Sequence, residues 1–157
     1  MKIEVGHPAP DFSLYDSEKN LVSLADQRGR NVLLLFFPLA FTSTCTKELC
    51  SVRDNISLYN DCNAVVFGIS VDSPQTLAKY KEEQRLNFSL LSDFNKDVSS
   101  LYECQYESFS KMNMKGVSKR SAFVIDKAGI VRYVEILEAA GEIPDFENIQ
   151  LLLSTLD

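Results

Sequence analysis

The strongest constraint on this chain is a run from Asn31 to Phe37, apolar from Val32 onward and closed by Pro38. Such a run reads as a buried strand. Pro38 has no N–H for a ladder bond and stops it. Small hydroxyl residues follow, Thr42-Ser43-Thr44, and then Cys45. Cys45, Leu49, Val52, Ile56 and Tyr59 recur three and four residues apart, the pattern of one helix face. The pattern predicts a helix from about Thr42 to Tyr59, ended by Asn60-Asp61-Cys62-Asn63. Cys45 then sits in the first turn of a helix, directly after a central strand.

A first helical turn leaves backbone N–H groups without partners and carries partial positive charge. Both favour a thiolate over a thiol. An ordinary cysteine, with a pKa of about 8.5, is roughly 3% thiolate at neutral pH, and a value of about 6 makes it roughly 90%. That change takes about 3.4 kcal/mol. A helix terminus supplies only about 0.3–1 kcal/mol. A cation from elsewhere in the chain is required to make up the difference.

Pro38, Thr42 and Cys45 form P-x-x-x-T-x-x-C, which resembles the motif of the peroxiredoxins, thiol peroxidases on a thioredoxin-like fold. The stretch FFPLAFTSTC with TKEL is similar to the alkyl hydroperoxide reductase E subgroup. The Cys50 spacing resembles the peroxiredoxin Q (bacterioferritin comigratory protein) subgroup. The resemblance continues through VGHPAPDFSL, GISVDSP, LLSDF, KRSAFVID and GIVR, in that order along the chain.

The rest of the sequence fits one domain over residues 1–157, long enough to bury a sizeable core. Phe12 to Tyr15 and Leu21 to Leu24 read as a strand pair across a turn. Ala64 to Val71 and Phe88 to Leu91 read as strands. Ser73-Pro74 opens a helix, with Ser as N-cap and Pro in the first position. Lys96 to Glu103 is expected to be helical, with Val98, Leu101 and Tyr102 on one side. Ser121 to Ile125 and Ile130 to Leu137 flank a hairpin turn, Asp126 to Gly129. Tyr106 to Ser118 shows no regular period. A last helix starts at Pro144 or Asp145 and turns Phe146, Ile149, Leu152 and Leu153 inward. Alternating strands and helices mean an α/β architecture. The resemblance makes it a thioredoxin-like fold: a central mixed sheet flanked by helices, with extra N-terminal strands. Sites in open α/β sheets gather at the carboxyl ends of strands, where Cys45 falls.

Net charge is −6, which argues against nucleic acid or an anionic membrane as partner, since both need clustered Lys and Arg. The first residues lack the apolar core of a signal peptide, and Val32 to Phe37 is too short to span a membrane. The expected compartment is the cytoplasm. The four cysteines, Cys45, Cys50, Cys62 and Cys104, are too widely spaced for a zinc site and lack C-x-x-C. No metal or cofactor is implied.

The resemblance implies roles at matching positions. Cys45 is the peroxidatic nucleophile. Thr42 brings a hydroxyl near the sulfur and the incoming oxygen, and Pro38 shields the sulfur. The segment Lys119 to Phe123 is similar to the one in which the family carries an arginine against the catalytic cysteine, so Arg120 supplies the missing cation. Glu48 supports that arginine. Backbone N–H groups of Thr44 and Cys45 add donors. Thr42 also suits a plain helix N-cap, and both roles are compatible. Arg53 reads as structural, and His7, the single histidine, as a surface residue. The implied substrates are hydrogen peroxide and organic hydroperoxides. The implied reductant is thioredoxin, glutaredoxin or a small thiol, acting on a monomer or homodimer. Phe36, Phe41 and Tyr106 or Phe109 would form an apolar collar, or else fill core.

Cys50 has two readings: a resolving cysteine for a Cys45 sulfenic acid, or a packing thiol in a one-cysteine enzyme. In an intact helix the two side chains lie roughly 140° apart, with Cα atoms about 8.6 Å apart. A disulfide tolerates about 7 Å, so the bond requires the helix start to unwind. Cys62 and Cys104 are weaker candidates. Two rival functions are a thiol-disulfide oxidoreductase, which would need C-x-x-C, and a non-enzymatic peroxide sensor. Neither accounts for Pro38, Thr42 and Arg120 together.

Overall fold

Strand β3 (Asn31–Phe36) runs through a seven-stranded sheet with every residue buried. The computed structural model describes residues 3–156. The other strands are β1 (Ser13–Asp16), β2 (Leu21–Ser23), β4 (Ala64–Ser70), β5 (Ser89–Ser92), β6 (Ser121–Ile125) and β7 (Val131–Ile136), in the order β2-β1-β5-β4-β3-β6-β7. β3, β4 and β5 are parallel, while β6, β7, β1 and β2 join antiparallel. This is the mixed sheet flanked by helices, with extra N-terminal strands, that the sequence predicts.

Strand periodicity divides the core. Leu33, Leu35, Val66, Leu90, Ala122 and Val124 face one way. Helices α1 (Ser43–Asp54), α2 (Ile56–Asp61), α3 (Pro74–Gln84) and α5 (Phe146–Thr155) cover that face with Leu49, Val52, Tyr59, Leu77, Tyr80, Ile149 and Leu153. Val32, Leu34, Phe36, Phe67, Leu91 and Phe123 face the other way, against Phe12, Leu24, Cys104, and Val98 of α4 (Asp97–Leu101). Each such side chain, fully buried, contributes about 1.5–3 kcal/mol. That outweighs helix propensity and fixes where the helices dock.

Local signals set the boundaries. The Ser73 hydroxyl accepts from Thr76 N–H at 3.1 Å ahead of Pro74, and Asp145 accepts from Asn148 N–H at 3.1 Å at the start of α5. In the β6–β7 turn Asp126 accepts from Ala128 and Ile130 N–H, and Gly129 takes φ +84°. Two expectations are corrected. The predicted Thr42–Tyr59 helix breaks at Asn55, which leaves helical geometry at φ −118°, ψ 20°. Its side-chain amide donates to Ser51 O and its N–H bonds Val52 O, the competition with helix that Asn side chains offer. Leu101 is 42% exposed rather than packed with Val98 and Tyr102, because α4 ends at that residue. The irregular stretch folds back on itself through Gln105–Ser118 and Phe109–Met114 bridges. Among the described residues no helix is long and apolar enough to cross a membrane.

Gly68 of β4 sits where Leu90 and Phe37 converge: a Cβ there would meet Leu90 Cδ2 at 2.8 Å and Phe37 Cε1 at 3.3 Å. Gly68→Ala should therefore overpack the layer under the site and cost about 1–3 kcal/mol, read as a lowered urea midpoint. An unchanged midpoint would mean the layer has slack.

Candidate active site

β3 delivers the chain to a loop at its carboxyl end. Pro38 is buried there. The loop is held by Asp72, just past β4, whose carboxylate accepts from Ala40 N–H at 2.8 Å and from the Ser70 hydroxyl at 2.7 Å. Phe41 takes φ +65°, unusual for a side chain with a Cβ, and its ring packs on Tyr80 at 5.0 Å between centroids. Thr42 then occupies the N-cap position of α1 without capping it. Its hydroxyl donates back into the loop, to Leu39 O at 2.8 Å. The plain-cap reading of Thr42 is thereby corrected. No N–H of the first turn is engaged by that side chain.

Cys45 is the third residue of α1 and is fully buried. The antiparallel register of β3 and β6 pairs Phe36 with Ser121, which brings Arg120, one residue earlier, to the same end of the sheet. Arg120 Nη1 lies 3.2 Å from Cys45 Sγ and 2.7 Å from Glu48 Oε1. Nη2 donates to Ala140 O at 3.0 Å. Arg120 is 1% exposed and Glu48 0%. Glu48, one turn after Cys45, shares its helix face. Glu48 Oε2 and Arg120 Nε have no hydrogen-bond partner among the described residues.

Burial pushes the Glu48 carboxyl up to about 7; the Arg120 guanidinium and its hydrogen bond pull the other way, and the charge of Glu135 adds to the rise. Burial works against the charge on Arg120, but Glu48 and Cys45 outweigh it and hold its pKa above the ordinary value. The guanidinium is thus a fixed cation.

A cavity of about 190 Å³ opens over the group, lined by Pro38, Thr42, Ser43, Thr44, Phe109, Arg120, Ala140 and Gly141. The sulfur lies behind it, one guanidinium away. A larger cavity, about 450 Å³, between β1, the start of α3 and Asp93–Asp97, has no cysteine in its lining. Pro38, Thr42, Cys45, Glu48 and Arg120 therefore cluster. Of the expected aromatic collar, Phe109 lines the cavity and Tyr106 stacks on it at 5.1 Å. Phe36 does not: it points to the opposite layer, 5.7 Å from both Tyr102 and Phe123. The Ala140 carbonyl and Gly141 carried no motif, since small residues and backbone groups give the sequence no chemical label; Asp72 lay within the GISVDSP segment, but nothing in the sequence showed that its carboxylate anchors the loop.

The other cysteines are dispersed. Cys50 is half-buried and its thiol faces Gln84 Oε1 at 3.6 Å. Arg53, as expected, is structural: it donates to Gln84 O at 2.6 Å and pairs with Asp54 at 2.9 Å. His7 is exposed. Cys104 is buried in the layer across the sheet from Cys45, and burial pushes its thiol up to about 12. All four cysteines are free.

Residues 5–134 match the AhpC/TSA family. The chain is 38% identical over 146 residues to alkyl hydroperoxide reductase E of Mycobacterium tuberculosis, covering 91% of each chain. It is 37% identical over 133 residues to peroxiredoxin Bcp of Escherichia coli, covering 84% of this chain and 85% of that one. The crystal structure of peroxidoxin BcpB from Mycobacterium tuberculosis aligns with TM-score 0.83 at 28% identity, over 97% of this chain and 96% of the other.

The raised Glu48 carboxyl carries a signed pH dependence. The folded protein holds that proton more tightly than the unfolded chain, whose carboxyl titrates at the ordinary 4.5. The contribution to stability is full below about 4.5 and is lost as pH rises through about 7. Urea midpoints of wild type and Glu48→Gln should show the wild-type advantage shrinking across that window. A constant difference would mean the carboxylate stays ionised throughout.

Proposed function

The chain belongs to the AhpC/TSA family, the peroxiredoxins, which are thiol-dependent peroxidases, and on that premise we propose that it reduces hydrogen peroxide and organic hydroperoxides through a sulfenic acid on Cys45. One observation carries the assignment to Cys45: its sulfur sits in the first turn of α1, 3.2 Å from the buried guanidinium of Arg120.

The chemistry follows from that placement. A thiolate attacks one peroxide oxygen and the other leaves with the electron pair, so negative charge moves from sulfur to oxygen. Donors already aimed at both ends stabilise the transition state without reorganising. Arg120 touches the sulfur and lines the cavity through which peroxide arrives. Thr42 and the N–H groups of Thr44 and Cys45 stand at the mouth of the helix. Pro38 excludes water from the sulfur. The cavity, with Phe109 in its wall, has room for a small hydroperoxide. Two thiol equivalents, from thioredoxin, glutaredoxin or a small thiol, then return the sulfenic acid to the thiol state, with water released and the reductant left as a disulfide.

Cys50 is proposed to resolve the sulfenic acid. Both cysteines lie in α1, so the bond forms only after the helix start opens. The uncapped first turn and the left-handed Phe41 favour opening. The half-buried Cys50 packs against the helix-covered core layer and has one weak hydrogen bond to lose among the described residues, the one to Gln84.

Cys45→Ser should abolish peroxide consumption in the presence of thiol reductants. Arg120→Met should lower the rate about 10²-fold or more, the loss expected for one donor at a developing charge. Full activity in either variant would remove the assignment. After one equivalent of peroxide, the intact mass should fall by two hydrogens, and Cys50→Ser should prevent this. A wild-type chain that gains oxygen and forms no internal disulfide would show a one-cysteine cycle instead.

A further inference from the structure

Three ionisable side chains meet in the buried site, and one of them is a cation. Arg120 Nη1 donates both to Cys45 Sγ and to Glu48 Oε1. One guanidinium matches one negative charge. A second anion in the same place would be uncompensated, and an unpaired buried ion costs several kcal/mol. Thiolate and carboxylate therefore compete for a single positive charge. The groups around Glu48 do not relieve the competition. Tyr80, from α3, is a phenol that burial keeps neutral, its pKa pushed up to about 12. Glu135, from β7, adds another negative charge and disfavours ionisation of Glu48. Glu48 Oε2 is buried and accepts no hydrogen bond from the described residues. A bare carboxylate oxygen forfeits its solvation; a proton on it is the lower-energy state.

We propose that Glu48 is the proton donor of the peroxide reaction: it holds a proton while Cys45 is a thiolate and gives it to the oxygen that leaves. The inference rests on Cys45 being the attacking sulfur. The step balances. The thiolate forms an S–O bond to the terminal oxygen of ROOH, and the O–O bond breaks. Sulfur is oxidised by two electrons, which the peroxide bond takes up. RO⁻ departs beside Arg120 and receives the Glu48 proton, leaving ROH, a sulfenic acid and an ionised Glu48 against Arg120. The site holds one anion opposite one cation at both ends of the step. When two thiol equivalents later restore the Cys45 thiolate, releasing water, a disulfide and one proton, Glu48 takes that proton back.

Leaving groups separate this role from simple positioning of Arg120. The alkoxide released by tert-butyl hydroperoxide is strongly basic and needs a proton; the acetate released by peroxyacetic acid does not. Glu48→Gln should slow reduction of tert-butyl hydroperoxide about 10²-fold or more beyond whatever loss it causes with peroxyacetic acid, the contribution expected of a general acid. Equal losses on both would make Glu48 a positioning residue and overturn the proposal. A second readout needs no change at Glu48. In Cys50→Ser with isotope-labelled glutamate carboxyls, infrared difference spectra should show one protonated carboxyl becoming a carboxylate as Cys45 is oxidised. Oxidation without that band change would overturn the proposal. A wild-type chain that reduces neither compound would overturn the reading of Cys45 itself.

Discussion

The site depends on a guanidinium kept out of water. Arg120 is 1% exposed, and a charge so placed is tolerated only if its partners are arranged before it arrives. They come from two parts of the chain. α1 supplies Cys45 and Glu48 on one face, and the loop after β7 supplies the Ala140 carbonyl. The β3–β6 register sets where Arg120 enters. Shifting β6 by one residue would turn Arg120 to the other face of the sheet and expose the pair it neutralises. The sheet register and the chemistry are thus one constraint.

That constraint explains which features were legible in the sequence. The unbroken run Val32 to Phe37 left few alternatives to a central strand, and Cys45 through Tyr59 gave the face of the helix that follows. Ser73-Pro74 and Asp126 to Gly129 carried their own turn and cap chemistry. Each of these signals is local. Asn55 was less legible because its amide must compete with a helix whose other residues all favour continuing. The direction of Phe36 was not legible either: period two tells which residues share a face, not which face meets which helices. The proximity of Arg120 to Cys45, across 75 residues, was implied by the likeness of Lys119 to Phe123 to the family segment that carries an arginine. The Ala140 carbonyl could not be foreseen, since any residue can present one.

Stability is given up where the chemistry needs freedom. Thr42 spends its hydroxyl on Leu39 O rather than on the helix, forgoing about 1 kcal/mol of capping. Phe41 sits in the left-handed region, a conformation that costs of order 1 kcal/mol or more for such a residue. Asp72 offsets part of this by tying Ala40 to the end of β4. The result is a first turn held from outside by the loop and by Tyr80, which meets both the Phe41 ring and the Thr46 hydroxyl.

The same geometry sets oxidation and resolution against each other. Glu48 lies between Cys45 and Cys50 on one helix. Unwinding that stretch to join the two sulfurs carries the carboxylate away from Arg120. Separating a buried ion pair costs about 3–5 kcal/mol, which at 1.36 kcal/mol per tenfold lowers the open population by roughly 10²–10⁴. In the proposed cycle, Glu48 is protonated and the thiolate sits on Arg120 before oxidation, so the helix is held by the sulfur. Afterwards the sulfur is neutral, and the carboxylate takes over the same guanidinium. Charge therefore does not unlock the helix when Cys45 is oxidised. The opening that leads to Cys50 has to come from the weak points already built into the first turn.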